Sequence, residues 1–253
     1  MKSKIHELQK NNFKIVSKTT FLIGLFAFAT VACAQNKIKG NGNVTTKTVT
    51  TSAYDKVSVA GFYDVNLVSG KEGSITVEGE SNLIDHITIA VEGGTLKIAT
   101  EKGKSLSTSH GKSIIVTVPF ESLEGVSLAG SGDVRTKSPI KATHFQTTLT
   151  GSGDINLDVD AKSIEANVTG SGDMVLKGSA DTFNCELTGS GDLTAYDLKS
   201  GSVKTSVTGS GDCKVFCSNA LEARVSGSGD IQYKGDPKTK DTKVSGSGSI
   251  SKA

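Results

Sequence analysis

From Leu128 to Ile250 apolar side chains recur at alternate positions, and the alternation is broken at near-constant intervals by the same four residues. Gly-Ser-Gly-Asp begins at Gly130, Gly151, Gly170, Gly189, Gly209 and Gly227, and a Gly-Ser-Gly-Ser follows at Gly246; the intervals are 21, 19, 19, 20, 18 and 19 residues. Aligned on the first glycine, the copies form apolar columns. Two residues before it stand Leu128, Leu149, Val168, Leu187, Val207, Val225 and Val244. Four after it stand Val134, Ile155, Met174, Leu193, Cys213, Ile231 and Ile250. A further upstream column holds Phe145, Ile164, Phe183, Val203 and Leu221, and between the upstream columns runs a row of small residues, Thr147, Ala166, Cys185, Thr205, Ala223 and Thr242. Period-two alternation around a turn is the pattern of a half-buried strand, and a helical period is absent from both flanks.

A unit of this length cannot bury its apolar side alone. Stacking units about 4.8 Å apart turns each column into a row and closes a continuous core. The expected fold is all-β: a single-stranded β-helix, or solenoid, with coils of about 19 residues. Right-handed winding follows from the general preference of parallel crossovers. Leucine-rich repeats are excluded by the missing Asn and Leu-x-x-Leu-x-Leu frame. A stack of antiparallel hairpins is the alternative, and it predicts turns at half this spacing.

The first half is less regular. Val57-Ser58-Val59-Ala60-Gly61 and the following Asp64-Val65 match Val126 to Val134 column for column, and Gly40-Asn41-Gly42-Asn43-Val44 reads as a weaker copy. Strand-like runs cover Ser74–Glu78, Ile87–Val91, Thr95–Ala99 and Ser113–Val118, with Gly93-Gly94 as a hairpin turn and Glu101–Lys112 as an exposed loop. This half is expected to consist of longer, irregular coils merging into the stack. At the other end Lys240 replaces the Phe or Leu of its column, and Lys252 stands where Leu157 and Leu176 do, which reads as a polar cap over an exposed edge.

Five lysines (Lys2, Lys4, Lys10, Lys14, Lys18), the apolar run Phe21–Ala32 and the small-residue site Ala32-Cys33-Ala34 have the form of a secretory signal peptide. The expected organisation is a leader over residues 1–34, an irregular β part over 35–125, and regular coils with a polar cap over 126–253. Cleavage after Ala34 is the favoured reading; lipidation at Cys33 is the rival, and the only route to a membrane. The chain is expected to be exported: periplasmic, outer-membrane-associated or secreted. Cleavage lowers Lys+Arg from 28 to 23 and Asp+Glu from 26 to 25, a net charge of −2. Without a basic stripe nucleic acid is not expected as a partner. Cys185, Cys213 and Cys217 form no disulfide framework and read as buried small hydrophobes, with one disulfide as runner-up.

The turn glycines are expected to permit left-handed backbone, and each following Asp to accept hydrogen bonds from amides of its own turn. Stacking places Asp133, Asp154, Asp173, Asp192, Asp212 and Asp230 in a file. Carboxylates so close repel, so the file must be solvated, hydrogen-bonded or bridged by cations. Calcium is the functional alternative, but the Gly-Gly-x-Gly-x-Asp repeats that bind it recur roughly every nine residues. Thr150, Thr169, Thr188 and Thr208 form an outward file that reads as good strand formers; ice binding is disfavoured by the uneven companion column Thr148, Asn167, Glu186, Ser206 and Arg224. His86, His110 and His144 are dispersed, and no hydrolase, metalloprotease or phosphate-loop motif is present. Arg135 or Lys177 beside the Asp file evokes polysaccharide cleavage, but such short coils leave no room for a cleft. No catalytic, cofactor or metal residue and no cofactor is expected.

The leader, the Gly40-Asn41-Gly42-Asn43 start, the Val57 to Leu67 strand pair, Glu80-Ser81-Asn82-Leu83-Ile84 and the Gly-Ser-Gly-Asp coils together resemble the "putative auto-transporter adhesin, head GIN domain" proteins of Bacteroidetes-type bacteria. The resemblance spans Ile38 to Ile250. It implies a β-helical fold, a cell-envelope setting and no catalytic residues; Gly61-Phe62-Tyr63-Asp64 stands where the family's Gly-Ile-Asn is expected. The function this suggests is a binding or adhesin-like module for a protein, glycan or surface partner. The alternative is a structural or regulatory envelope protein, and self-association through coil edges is a further expectation.

Overall fold

The computed structural model describes residues 36–253. The leader and the lipidation site at Cys33 lie outside the described residues.

The regular half is a solenoid. Ile140–Gly151, Asp154–Gly170, Met174–Gly189, Leu193–Gly209 and Cys213–Gly227 are each a long bent strand, one per winding, and each pairs in parallel with the next. Register converts the sequence columns into rows. Leu149 pairs with Val168, Val168 with Leu187, Leu187 with Val207 and Val207 with Val225. On the other flank Ile155 pairs with Met174, Met174 with Leu193 and Leu193 with Cys213. These side chains are buried, whereas alternate residues such as Glu165 and Thr169 point outward. Fully burying one such Val or Leu is worth roughly 1.5–3 kcal/mol, so the rows supply the driving force and the turns set their spacing.

The two turn glycines serve different ends. The first has φ between +123° and +141° in all seven copies, a conformation that disfavours any side chain. Its carbonyl accepts two amides from the winding above, as Gly130 does from Ser152 (2.9 Å) and Gly153 (3.0 Å). The second glycine does not have positive φ, which corrects the expectation that both are left-handed. It is required by contact: a Cβ on Gly172 would fall 2.0 Å from the Gly153 carbonyl oxygen below.

The strands Lys56–Gly61 and Asp64–Ser69 make a winding that stacks on Gly125–Gly130 and Asp133–Thr136. Val57 pairs with Val126, Val59 with Leu128, Gly61 with Gly130 and Asp64 with Asp133, so the internal copy is a physical neighbour. A further parallel layer, Thr95–Thr100 and Ile115–Phe120, lies on the far side of it.

Beyond that layer the structure departs from irregular coils. Ile87–Glu92 pairs antiparallel with Thr95–Thr100, Ser74–Glu80 with Ile115–Phe120, and Val44–Thr50 with Ser74–Glu80. The segment at Gly40–Val44 is therefore not a winding. Antiparallel strands can be added by short turns without a crossover, and Gly93 (φ 55°) with Gly94 (φ 74°) makes such a turn. Within the expected loop Glu101–Lys112, Lys104–Ser107 instead pairs in parallel with Asn36–Lys39 and buries Leu106. One helical turn, Ser81–Ile84, buries Leu83 and Ile84.

At the C-terminal end Lys240 pairs with Leu221 and Lys252 with Tyr233. The Lys240 ammonium lies 5.8 Å from the Tyr233 ring centroid, and Lys252 pairs with Asp236. Thr239–Gly246 is exposed throughout.

Candidate functional site

The Asp file forms, and its carboxylates are engaged across windings rather than within their own turns. Oδ1 of Asp154 accepts the amide of Asp173 (3.2 Å), Asp173 that of Asp192 (2.8 Å), Asp192 that of Asp212 (2.9 Å) and Asp212 that of Asp230 (2.9 Å). This replaces the local Asx-turn expected from sequence: stacking brings an Asp amide of the next winding within hydrogen-bond reach of each of these carboxylates. Each carboxylate is thus a clamp between neighbours, and its repulsion with the next is offset by a charge-assisted bond. The ladder ends where the motif changes: Ser249 donates both its amide (2.7 Å) and its hydroxyl (2.9 Å) to Oδ1 of Asp230. Here a donor takes the place of the acceptor. At the start Arg135 pairs with Asp133, while burial and then the Asp133 charge push the Asp64 carboxyl up. Among the described residues no His, Cys, Asp or Glu group of three is arranged to hold a metal ion.

The threonine file is also real: Thr150, Thr169, Thr188 and Thr208 are in register and exposed. His86 pairs with Glu101 at 2.8 Å, and His110 and His144 are exposed elsewhere. Lys177 pairs with Asp158 at 3.4 Å. Cys185, Cys213 and Cys217 are free and buried. The Cys185 and Cys213 sulfurs lie 3.6 Å apart across the core with the Thr205 hydroxyl beside both, a proximity that spacing alone conceals. The Cys213 contact and burial push the Cys185 thiol up, and burial pushes Cys217 up, so neither is an activated nucleophile.

Two clusters escape sequence reasoning. The first joins the two family-like motifs of the N-terminal part. Glu80 is fully enclosed, and its carboxylate accepts the Gly42 amide (2.6 Å) and the Ser109 amide (2.8 Å) and hydroxyl (2.6 Å). The Ser109 bonds, hydroxyl first, outweigh desolvation and hold the carboxyl below its ordinary value. Around it the Asn82 side chain accepts from the Asn41 amide and donates to the Lys39 carbonyl, while the Ser81 amide donates to the Asn43 carbonyl. A Cβ on Gly40 would overlap the Glu80 carboxylate. This is a lock for the N-terminal strands, without an open cavity.

The second cluster lies on the outward face after the turns. Tyr196 and Phe216 are half-buried, with the Lys234 ammonium 4.1 Å from the Tyr196 ring centroid and the Lys199 ammonium 4.4 Å from that of Phe216. The Tyr196 hydroxyl donates to Gln232 (3.0 Å), so the ring lies down across the intervening winding. Lys214 lies on that winding, and Val175 is 37% exposed nearby. On the opposite outward face Lys204 and Arg224 pair with Glu222, and Arg224 with Asp241.

A family model described as "Putative auto-transporter adhesin, head GIN domain" matches residues 53–237. No curated protein matches the chain. Among solved structures, a protein of Bacteroides fragilis NCTC 9343 described as a putative adhesin is 23% identical with a TM-score of 0.76, covering 85% of this chain and 100% of that one. A Parabacteroides distasonis ATCC 8503 protein described as a putative lipid binding protein is 26% identical with a TM-score of 0.71, covering 86% and 100%. A second protein of that organism, described as a putative adhesin, is 24% identical with the same TM-score and the same coverage.

Proposed function

We propose, since the chain belongs to the "putative auto-transporter adhesin, head GIN domain" family, that it is an exported cell-envelope or extracellular β-solenoid working as an adhesin-like interaction module. One observation carries the reading. Glycines, Asp ladder and apolar rows are all consumed in holding windings together, while the outward columns form flat, rigid faces free to contact a partner. The leader-like residues 1–34 support export, and the neighbours described as adhesins and as a lipid binding protein support a surface partner. Catalysis forms no part of the proposal; depolymerisation of an acidic polysaccharide that depends on Asp173 and Asp192 would overturn that.

The test is binding of labelled mature protein to whole cells and to a glycan array, where saturable binding is expected. Uniform absence of binding would favour a structural envelope protein. Export is checked by the mass of the chain recovered from the producing cell: a start at Gln35 is expected, and an acylated Cys33 at the N-terminus would shift the protein to the membrane.

A further inference from the structure

Resting on the interaction-module reading, we infer that the outward face built by Tyr196, Phe216, Lys199, Lys214 and Lys234 is the docking surface, and that its occupant is an acidic polysaccharide.

Charge complementarity selects the ligand. The chain after residue 34 has a net charge of −2, so a cluster of ammoniums on one face is a local feature and not a general basicity. Lys199, Lys214 and Lys234 sit on three successive windings, and among the described residues none of them has a carboxylate partner within salt-bridge distance. Asp197, exposed at the edge of the face, pairs in register with Lys177. On the opposite face Lys204 and Arg224 are paired with Glu222 and Asp241, while Lys243 stands beside Arg224.

The aromatic rings position the cations. Each ring carries an ammonium over its face, which attracts the cation and restricts its wandering. An anion then meets ammoniums already placed, and less freedom is lost on binding. The rings themselves are half-buried and lie flat, so they offer no protruding wedge for a bilayer. The cations instead gather on one outward face contributed by three successive windings. A linear polymer bearing repeated carboxylate or sulfate groups can engage several of them at once, and each further contact adds through effective concentration.

The test compares full mature protein with two variants, each first shown to keep the wild-type melting temperature. Probes are immobilised polygalacturonate, heparin, uncharged dextran and vesicles containing one third anionic lipid, with whole cells in parallel. The expected result is salt-sensitive binding to either polyanion and none to dextran. The triple variant Lys199→Ala, Lys214→Ala, Lys234→Ala should bind at least tenfold more weakly, and Lys204→Ala with Lys243→Ala on the opposite face should bind as wild type. Equal binding by the triple variant and wild type overturns the site. Vesicles retained more tightly than either polyanion, with the triple variant losing that retention, overturn the ligand class in favour of a membrane. Cell binding that survives the triple substitution overturns this surface while leaving the module reading standing; absence of binding to both cells and polymers removes both.

Discussion

The windings from Ile140 to Gly227 and the segment from Val44 to Phe120 share one sheet but hold together by different logic. In the windings each residue's partner lies 17–20 residues away, and in the core rows and at the turn it is of the same kind, valine on leucine, glycine on glycine. In the N-terminal part Lys56 reaches Gly125, Val44 reaches Glu80 in the opposite direction, and a single enclosed carboxylate ties three segments together. Repetition spreads stability over many equivalent contacts, as expected for a quasi-one-dimensional array. The antiparallel cover relies on contacts that occur once. That is the cost of closing an edge that would otherwise recruit other strands.

Substitution should separate the two regimes. Gly172→Ala forces a Cβ against backbone in the middle of the stack and should cost more than about 4 kcal/mol or prevent folding. Gly42→Ala, at φ +80° with open space around its Cβ, should cost only about 1 kcal/mol. Chemical denaturation of both variants checks the contrast. Leu187→Ala, in a fully buried row, should cost roughly 2–5 kcal/mol, whereas Val44→Ala, 45% exposed, should shift stability by no more than about 0.5 kcal/mol.

Acid should act on the cover through Glu80. The folded carboxyl of Glu80 titrates below its ordinary value, so its contribution is complete above the unfolded value near about 4.3 and is lost as pH falls through the lower folded one. Hydrogen exchange should show the amides of Gly42 and Ser109 losing protection as pH falls below the ordinary carboxylate range. Glu80→Gln should bring the loosening to neutral pH. For the Asp ladder, whose carboxylates accept amides of the next winding, melting with calcium and with chelator should give equal midpoints. The opposite sign is expected at Thr147, whose buried hydroxyl has no partner among the described residues while its row neighbour is Ala166. Thr147→Val should stabilise the protein by about 1 kcal/mol.

The rows were readable because Leu149, Val168 and Leu187 repeat at an interval that only stacking satisfies, and the winding at Val57 was readable from the same columns. Strand direction was not, since alternation at Ser74–Glu80 or Val44–Thr50 is the same in parallel and antiparallel pairs. The second glycine and the Asp acceptors were assigned to local turn chemistry because their true partners lie a full winding away. The Lys–aromatic face was invisible for a related reason: Tyr196, Phe216 and Lys234 are spread over 39 residues at outward positions, where no column constrains identity. Glu80 belongs to the Glu80-Ser81-Asn82-Leu83-Ile84 motif, but nothing in its spacing announces enclosure.

Spin-label distances measure the stack itself. Labels at the exposed, mutually registered positions Ala60, Ala129 and Ser245 test whether a winding contributed by residue 60 lies directly beneath one contributed by residue 129. Six layers separate Ala129 from Ser245, a distance of about 29 Å, and Ala60 should lie one layer, about 5 Å, farther out. Pairs from Ser245 to Thr150 and to Ala129 should differ by the same step. Equal distances from Ser245 to Ala60 and Ala129, or steps unrelated to the strand spacing, would contradict the stacked windings.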